Sequence, residues 1–171
     1  RVSIGLLPAL LTVPLWAESI AREPDGETAA LPSENLDIVL VRDGRPLHNM
    51  ICLPNKQAAP AAVMALKEYR ALVKRATGTE PVRVEKPQPG QPTIFFGRNP
   101  WSVTVGISTQ GLHPEGFRIQ SIGQDIHIVG RDTPKIGAHR VKAHVGMEPG
   151  TLFGAYEFLE RYYGMLFAWH D

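Results

Sequence analysis

Residues 115–132, EGFRIQSIGQDIHIVGRD, decide the fold of this chain. Apolar and polar residues alternate over 115–121, Gly123 follows as a turn residue, and the alternation resumes over 125–129. Two alternating runs joined by a glycine turn predict an antiparallel hairpin with one face covered and one face toward water. Such a sheet needs a covering layer, so the rest of the chain is expected to supply helices.

Two segments have the periodicity of amphipathic helices. The first begins near Pro60 and closes at Gly78, with an apolar stripe at steps of four and three residues. The second begins at Thr151, a suitable N-cap, and stops at Gly164. We expect Gly154 to permit close approach of this helix to the sheet. The two stripes are Ala62, Leu66, Tyr69, Val73 and Ala76, and Leu152, Tyr156, Leu159 and Tyr163.

Further β-rich runs complete the predicted sheet. Asp43-Gly44 between two of them indicates a second hairpin, because Gly adopts positive φ without steric cost. These strands are predicted at residues 37–41, 46–53, 81–85, 93–97 and 165–169. Irregular structure is predicted at residues 99–114 and in a long connection at 133–150. The order of elements predicts an α+β fold: a mixed, largely antiparallel sheet with two helices packed on one face.

The N-terminal residues predict export. Arg1 precedes an uncharged, mostly apolar stretch that ends at Ala17 and is followed by polar residues, a pattern typical of a signal peptide. The stretch is shorter than the ~20 residues that span a bilayer as a helix, although an uncleaved anchor is the alternative. We interpret residues 1–17 as a signal-peptide remnant, 18–35 as a flexible spacer and 36–171 as one folded domain. The expected location is secreted or periplasmic.

Composition restricts the partners. The 171 residues are 43% hydrophobic and carry a formal net charge of +1, so the chain has material for one core but no basic stripe for nucleic acid. We therefore predict no nucleic-acid partner, and no membrane partner beyond the signal segment. Cys52 is the single cysteine, and in its apolar surroundings we expect a buried, inert thiol.

No pattern predicts catalysis or cofactor binding by this chain alone. The sequence lacks a nucleophile elbow and a glycine-rich phosphate loop, so neither a catalytic serine nor a cofactor is predicted. The histidines form no helical pair, and basic neighbours beside two of them disfavour a cation, so no metal site is predicted. The six histidines are His48, His113, His127, His139, His144 and His170.

The carboxylates do not suggest a glycosidase site. Glycoside hydrolysis needs two carboxyl groups roughly 5–10 Å apart across the sugar. Glu157 and Glu160 are neighbours on the second helix, but their position opposite the aromatic stripe indicates a solvated face. Asp125 and Asp132 lie at the two ends of one predicted strand, too far apart to cooperate.

A sugar contact is the one binding role that the residues suggest. Trp101 lies in the irregular segment with Arg98 and Asn99 beside it. An exposed indole can stack on a pyranose ring while Arg and Asn bond hydroxyl groups. The alternative is that Trp101 packs on the sheet edge or against another domain. Possible sugar contacts are therefore Arg98, Asn99 and Trp101, with an oligosaccharide as partner.

Four motifs together resemble a known module. They are ALVKRATG at 71–78, TIFFGR at 93–98, the segment 115–132, and GTLFGAYEFLERYYG at 150–164. Their order and spacing resemble the N-terminal domain of bacterial alpha-glucuronidases and the related domain that precedes the catalytic barrel of beta-hexosaminidases. A similar domain precedes a barrel in uncharacterised secreted bacterial proteins. The resemblance covers residues 36–169, and its specific part is 115–164.

The resemblance implies an α+β domain that packs against a catalytic (β/α)-barrel following it in the chain. In those families the catalytic carboxylates belong to the barrel, so no catalytic residue is carried over. The expected function is a non-catalytic accessory domain of a secreted glycoside hydrolase; the alternative is a carbohydrate-binding module acting through exposed aromatics. One departure is the longer link after Asp132, which runs through Lys135, His139, His144 and Met147.

Overall fold

A four-stranded mixed sheet forms the centre of the protein. The structure, a computed structural model, describes residues 37–53, 57–134 and 148–167, together with the backbone of residues 12–13. In chain order the elements are β1 (Thr12–Val13), β2 (Ile38–Val39), β3 (Val41–Arg42), β4 (Arg45–Pro46), β5 (Asn49–Cys52), α1 (Pro60–Thr77), β6 (Thr93–Phe96), α2 (Pro100–Thr104), β7 (Phe117–Ile122), β8 (Asp125–Gly130) and α3 (Gly150–Tyr163). The predicted α+β class is confirmed.

The central sheet has the strand order β5-β6-β8-β7. β7 and β8 form the predicted antiparallel hairpin, and β1–β2 and β3–β4 are also antiparallel. β6, however, pairs in parallel with both β5 and β8. This parallel centre was not predicted, and it brings the carboxyl ends of β6 and β8 to the same edge of the sheet.

One face of the sheet packs against α1 and α3, as predicted; we call it the helix face. Its strand residues are apolar and buried. A Cβ on Gly154 of α3 would lie 2.9 Å from Ile128 Cγ2, which confirms that glycine permits the close approach of this helix. Burial of each large side chain here is worth about 1.5–3 kcal/mol. These strand residues are Met50, Cys52, Ile94, Phe96, Ile126 and Ile128.

The opposite face is covered as well; we call it the α2 face. Residues 99–114, predicted to be irregular, contain α2, which begins with Asn99 as N-cap and Pro100 in its first turn. Trp101 of α2 packs on Phe95, with ring centroids 5.8 Å apart. The prediction of one water-facing side is therefore wrong, because most of β8 is buried on both faces, as is usual where strands pair in parallel.

The strands at the periphery are shorter than predicted. The hairpin at Asp43-Gly44 is confirmed, with φ of 51° and 71° at the two turn residues. The run 46–53 divides into the separate strands β4 and β5. Within 81–85, a single parallel bridge joins Arg83 to Met50. These segments contribute hydrogen bonds at the sheet edge but no long strand.

The predicted strand at 165–169 is wrong over its described part, residues 165–167. Met165 N donates to Leu159 O at 3.3 Å, and the Phe167 ring packs on Tyr156 with centroids 4.7 Å apart. The chain thus folds back along α3 after Gly164, whose left-handed conformation ends the helix as predicted. Residues 168–169 lie outside the described part.

The predicted signal segment 1–17 and spacer 18–35 lie outside the described residues, apart from the backbone of β1, which pairs with β2. The same holds for residues 135–147 of the long connection. No described helix has the length and hydropathy needed to cross a bilayer.

Candidate functional site

Two arginines follow the two central parallel strands. β6 runs into Gly97-Arg98, and β8 ends at Gly130, directly before Arg131. Phe96 of β6 pairs with Ile128 of β8 in the sheet. Arg98 lies two residues beyond Phe96, and Arg131 lies three residues beyond Ile128. In open parallel sheets, ligands bind in crevices outside the carboxyl ends of the strands. The parallel centre therefore brings the two guanidinium groups to one edge.

A cleft of about 540 Å³ opens at this edge. Its described lining consists of Arg98, Val103, residues 106–112 and Arg131, and we call it the arginine cleft. The loop 106–112 is anchored by Ile107, which is buried and whose backbone N donates to Ser102 O at 2.9 Å. A cleft of this volume is in the usual range for small-molecule sites.

Arg131 is held in place from several sides. Its Nε donates to Glu148 Oε2 at 2.9 Å, and its Nη1 donates to Leu112 O at 3.1 Å. Its backbone N donates to Gly116 O at 2.8 Å. A guanidinium carries five N–H donors. Two of those of Arg131 bond to described residues. Arg131 is thus a positioned cation.

The charged side chains in the lining of the arginine cleft are both cations. The described lining contains two guanidinium groups and no carboxylate. Glu148, bound to Arg131, compensates one of these charges. The two guanidinium groups offer N–H donors to an anionic group, and the carboxyl group of Asp132 lies nearby behind Gly97.

Asp132 fixes the start of α3 beside the arginine cleft. Its Oδ1 accepts from Thr151 N at 2.7 Å and its Oδ2 from Thr151 Oγ1 at 2.5 Å. Thr151 Oγ1 in turn accepts from Gly130 N at 2.9 Å. The prediction that Thr151 caps α3 is therefore wrong: Pro149 occupies the N-cap position, and Asp132 supplies the acceptor. Burial raises the pKa of Asp132, while the hydrogen bonds from Thr151 act in the opposite direction.

The connection 133–150 is tied at its two ends. Thr133 N donates to Glu148 O at 3.0 Å, and Glu148 N donates to Thr133 Oγ1 at 2.7 Å. Asp132 and Pro149 also form an antiparallel bridge. These bonds place Glu148 where its carboxylate reaches Arg131.

The three predicted sugar contacts have different positions. Arg98 is exposed and lines the arginine cleft. Asn99 is only 2% exposed; its Oδ1 accepts from Ser102 N at 2.9 Å and its Nδ2 donates to Gly97 O at 2.8 Å. Trp101 is half-buried against Phe95, which favours the packing alternative. Of the three, only Arg98 lines the cleft. The amide of Asn99 holds the turn before α2, and the ring of Trp101 packs on Phe95.

A buried serine–histidine pair lies on the α2 face. Ser102 Oγ and His127 Nδ1 are hydrogen-bonded at 2.9 Å, and the His127 ring stacks on Phe95 with centroids 4.5 Å apart. Burial lowers the pKa of His127. Ser102 is 0% and His127 2% exposed, so no substrate can reach this serine. The pair fastens α2 to the sheet.

The remaining predicted candidates contribute to the fold. Glu157 forms an ion pair with Arg161 on α3, and Glu160 accepts from Phe167 N at 3.4 Å. Asp125 accepts from Thr93 N at 2.8 Å. Cys52 is buried as predicted, and burial raises the pKa of its thiol to about 11.

The described histidines do not converge. His48 is buried, and its Nε2 lies 3.0 Å from Gln124 O, whereas His113 is exposed and its Nδ1 lies 2.8 Å from Pro114 O. In the part of the chain that the structure describes, no group of three metal-ligating side chains occurs. The other three histidines, His139, His144 and His170, lie outside the described residues.

The comparisons with protein-family models and with curated proteins find no match to this chain. The site is therefore defined by geometry. Reasoning from the sequence missed Arg131 and the loop 106–112. The available signal was the repeated Gly-Arg after residues 93–96 and 125–129, but it has meaning only if the two strands are parallel neighbours.

Proposed function

We propose that this chain supplies a non-catalytic accessory domain of a secreted, carbohydrate-processing enzyme and packs against a catalytic barrel that follows it. The resemblance of residues 36–169 to domains that precede such barrels supports this function. The structural observation that carries it is the chemistry of the arginine cleft, whose described lining offers cations and neutral polar groups but no carboxylate pair. Glycosidic bond cleavage of the usual kind requires two carboxyl groups on either side of the sugar.

The acidic residues near the arginine cleft have structural partners instead. Asp132 accepts two hydrogen bonds from Thr151, and Glu148 is paired with Arg131. Both carboxyl groups therefore have hydrogen-bonding partners within the fold. These interactions favour a supporting role over acid–base catalysis.

The test separates catalysis from support. The whole chain is incubated with aryl glycosides and oligosaccharides, and the parent protein is compared with and without this domain. We expect no hydrolysis by the chain alone, and a lower melting temperature of the parent when the domain is removed. Hydrolysis that is lost in Glu148→Gln but kept in the remote control Glu80→Gln would overturn the proposal. So would a parent protein whose melting temperature is unchanged by the deletion.

The alternative, a carbohydrate-binding module acting through exposed aromatics, has a test of its own. Trp101 is the aromatic predicted for this role, and its packing on Phe95 leaves it half-buried. Titration of Trp101→Ala with a neutral oligosaccharide distinguishes the two functions. Saturable binding that disappears in this variant would favour the binding module.

A further inference from the structure

We propose that two copies of this chain form a dimer through strand β7 (Phe117–Ile122), by antiparallel pairing of their β7 edges into one continuous sheet. β7 is an edge of the central sheet, whose strand order is β5-β6-β8-β7. An edge strand presents a row of backbone N–H and C=O groups with which a further strand can pair. This interface goes beyond the proposed function and does not depend on it.

The pairing with β8 determines which backbone groups of β7 point outward. Arg131 N donates to Gly116 O at 2.8 Å, so residues 116 and 131 form a hydrogen-bonded pair. Hydrogen-bonded and non-hydrogen-bonded pairs alternate along an antiparallel ladder, and β7 pairs with β8 residue by residue without a bulge. The backbone groups of Phe117, Ile119 and Ser121 therefore point away from β8, and no backbone bond joins them to another described residue.

The sequence of β7 gives the edge little protection. Natural proteins shield edge strands with Pro, with charged residues, above all Lys, or with bulges. The strand FRIQSI contains neither Pro nor Lys, and its single charged residue is Arg118. Ile122, an apolar residue at the end of the strand, is 39% exposed. This composition favours pairing with another strand.

β7 is complementary to itself in one antiparallel arrangement. With Ile119 opposite Ile119 of the second copy, Phe117 lies opposite Ser121, and all three outward-pointing residues take part in the ladder. Each of these pairs exchanges two N–H···O bonds. A shift in one direction places Arg118 opposite Arg118, which is unfavourable for like charges. A shift in the other direction pairs Phe117 with the turn residue Gly123 and loses part of the ladder.

The arrangement centred on Ile119 also gives Arg118 a partner. The Arg118 side chain lies on the α2 face, opposite Val129, and its buried Nε has no hydrogen-bond partner among the described residues. A buried donor without an acceptor is destabilising. Gln120 of the second copy lies opposite Arg118 on the same face, where its amide oxygen can accept from the guanidinium. Two-fold symmetry repeats this pair, so the occupant that fits this edge is a second copy of the same strand.

The experiment is sedimentation velocity of the whole chain over a range of concentrations, combined with amide hydrogen exchange of β7 measured by NMR. We expect a monomer–dimer equilibrium with a dissociation constant of about 1–100 μM, because one pair of edge strands buries less area than a standard interface. A higher concentration should slow the exchange of the Ile119 and Ser121 amides. A dimer formed through another surface would leave these two amides unchanged.

A backbone variant tests the ladder. Ser121→Pro removes an outward N–H and leaves the bonds to β8, because Pro is tolerated in an edge strand where its nitrogen faces away from the sheet. We expect the dimer to be weakened about tenfold or more, since symmetry removes the bond twice. Ser121→Ala, which keeps the N–H, is the control and should dimerise like the parent chain.

Side-chain variants test the arrangement of the two strands. Gln120 is exposed, so its substitution should leave the melting temperature of the monomer unchanged. Gln120→Glu should tighten the dimer about threefold or more by pairing with Arg118, and Gln120→Lys should weaken it by a similar factor. Gln91→Lys, the same charge change at an exposed position outside β7, is the control.

Four results would overturn the proposal: a monomer at concentrations well above the micromolar range, a dimer unaffected by a folded Ser121→Pro, unchanged exchange of the β7 amides, or equal affinity in Gln120→Glu and Gln120→Lys. The Gln120 pair keeps the test decisive if Ser121→Pro does not fold. A monomeric chain whose β7 amides are protected only in the parent protein would also overturn it and would identify a strand of the downstream domain as the occupant.

Discussion

The two faces of the central sheet are built from different chemistry. On the helix face, Phe96 and Ile128 meet apolar residues of α1 and α3, and area burial is the main stabilising contribution. On the α2 face, Phe95 lies among polar groups that need partners: Ser102 bonds His127, and Asn99 holds the turn. The first face requires only apolar side chains of suitable size, whereas the second depends on particular hydrogen bonds.

This difference separates stability from positioning. Polar groups that are fully bonded orient the elements that carry them. On the α2 face they fix α2 and the loop that follows it, and this loop lines the arginine cleft. The helix face can therefore be varied for stability, while the α2 face determines the geometry of the candidate site.

The largest effect is expected on the helix face. Phe96→Ala should lower the free energy of unfolding by about 3–5 kcal/mol, because it leaves a cavity beside Tyr69, whose ring centroid is 5.3 Å away. Urea unfolding measures the change. Met64→Ala, a substitution at a 52% exposed position of α1, is the control and should change stability by less than about 0.5 kcal/mol. A loss below about 1 kcal/mol in Phe96→Ala would contradict the assignment of the main core to this face.

The next effect concerns the junction of β8 and α3. Asp132→Ala should cost about 2–3 kcal/mol, because Thr151 N and Oγ1 lose their acceptor in a part-buried place. Asp132→Asn, which keeps one acceptor oxygen, should cost less. Chemical unfolding of both variants against the exposed control Asp37→Ala measures this order. Equal stability of the Ala variant and the parent chain would show that the helix start does not depend on Asp132.

A smaller effect is expected on the α2 face. Ser102→Ala should cost about 1–2 kcal/mol, because His127 Nδ1 loses its partner in a buried site. Thr104→Ala, which removes an exposed hydroxyl of the same helix, is the control. A variant as stable as the parent chain would mean that stacking on Phe95 alone holds His127.

Counted per titrating group and pH unit, the smallest effect is a dependence on pH. Burial lowers the pKa of both His48 and His127 from the ordinary value of 6.5. A folded-state pKa below the unfolded one means that the stability is full well above pH 6.5 and is lost as the pH falls through 6.5 toward the folded values. We expect a loss of up to about 1 kcal/mol per histidine and pH unit between pH 7 and 5.5.

Thermal unfolding at several pH values measures this dependence. Replacing His48 by Gln removes one titrating group and should reduce the slope. Asp132, whose pKa is raised, acts with the opposite sign, but over a range that begins at its ordinary value of 3.8. A slope that is unchanged in His48→Gln would contradict the assignment of His48 as a neutral buried group.

The elements with strong local signals were predicted, and those that depend on distant contacts were not. The helix stripe from Ala62 to Val73, the Gly78 and Gly164 ends and the Asp43-Gly44 turn follow from residues close in sequence. α2 was missed although Asn99-Pro100 marks its start, because five residues carry too little periodicity. The strand expected after Gly164 failed because its backbone donors bond to α3 instead.

The sequence by itself determined the α+β class, both long helices and the β7–β8 hairpin, since periodicity and turn residues act over a few positions. It also provided Arg98 and Arg131 after two apolar strands. Only the tertiary structure decided that these strands lie side by side in parallel, that α2 covers the second face, and that Asp132 holds α3. The direction and pairing of strands that no tight turn connects depend on contacts between residues far apart in the chain, and no local pattern encodes them.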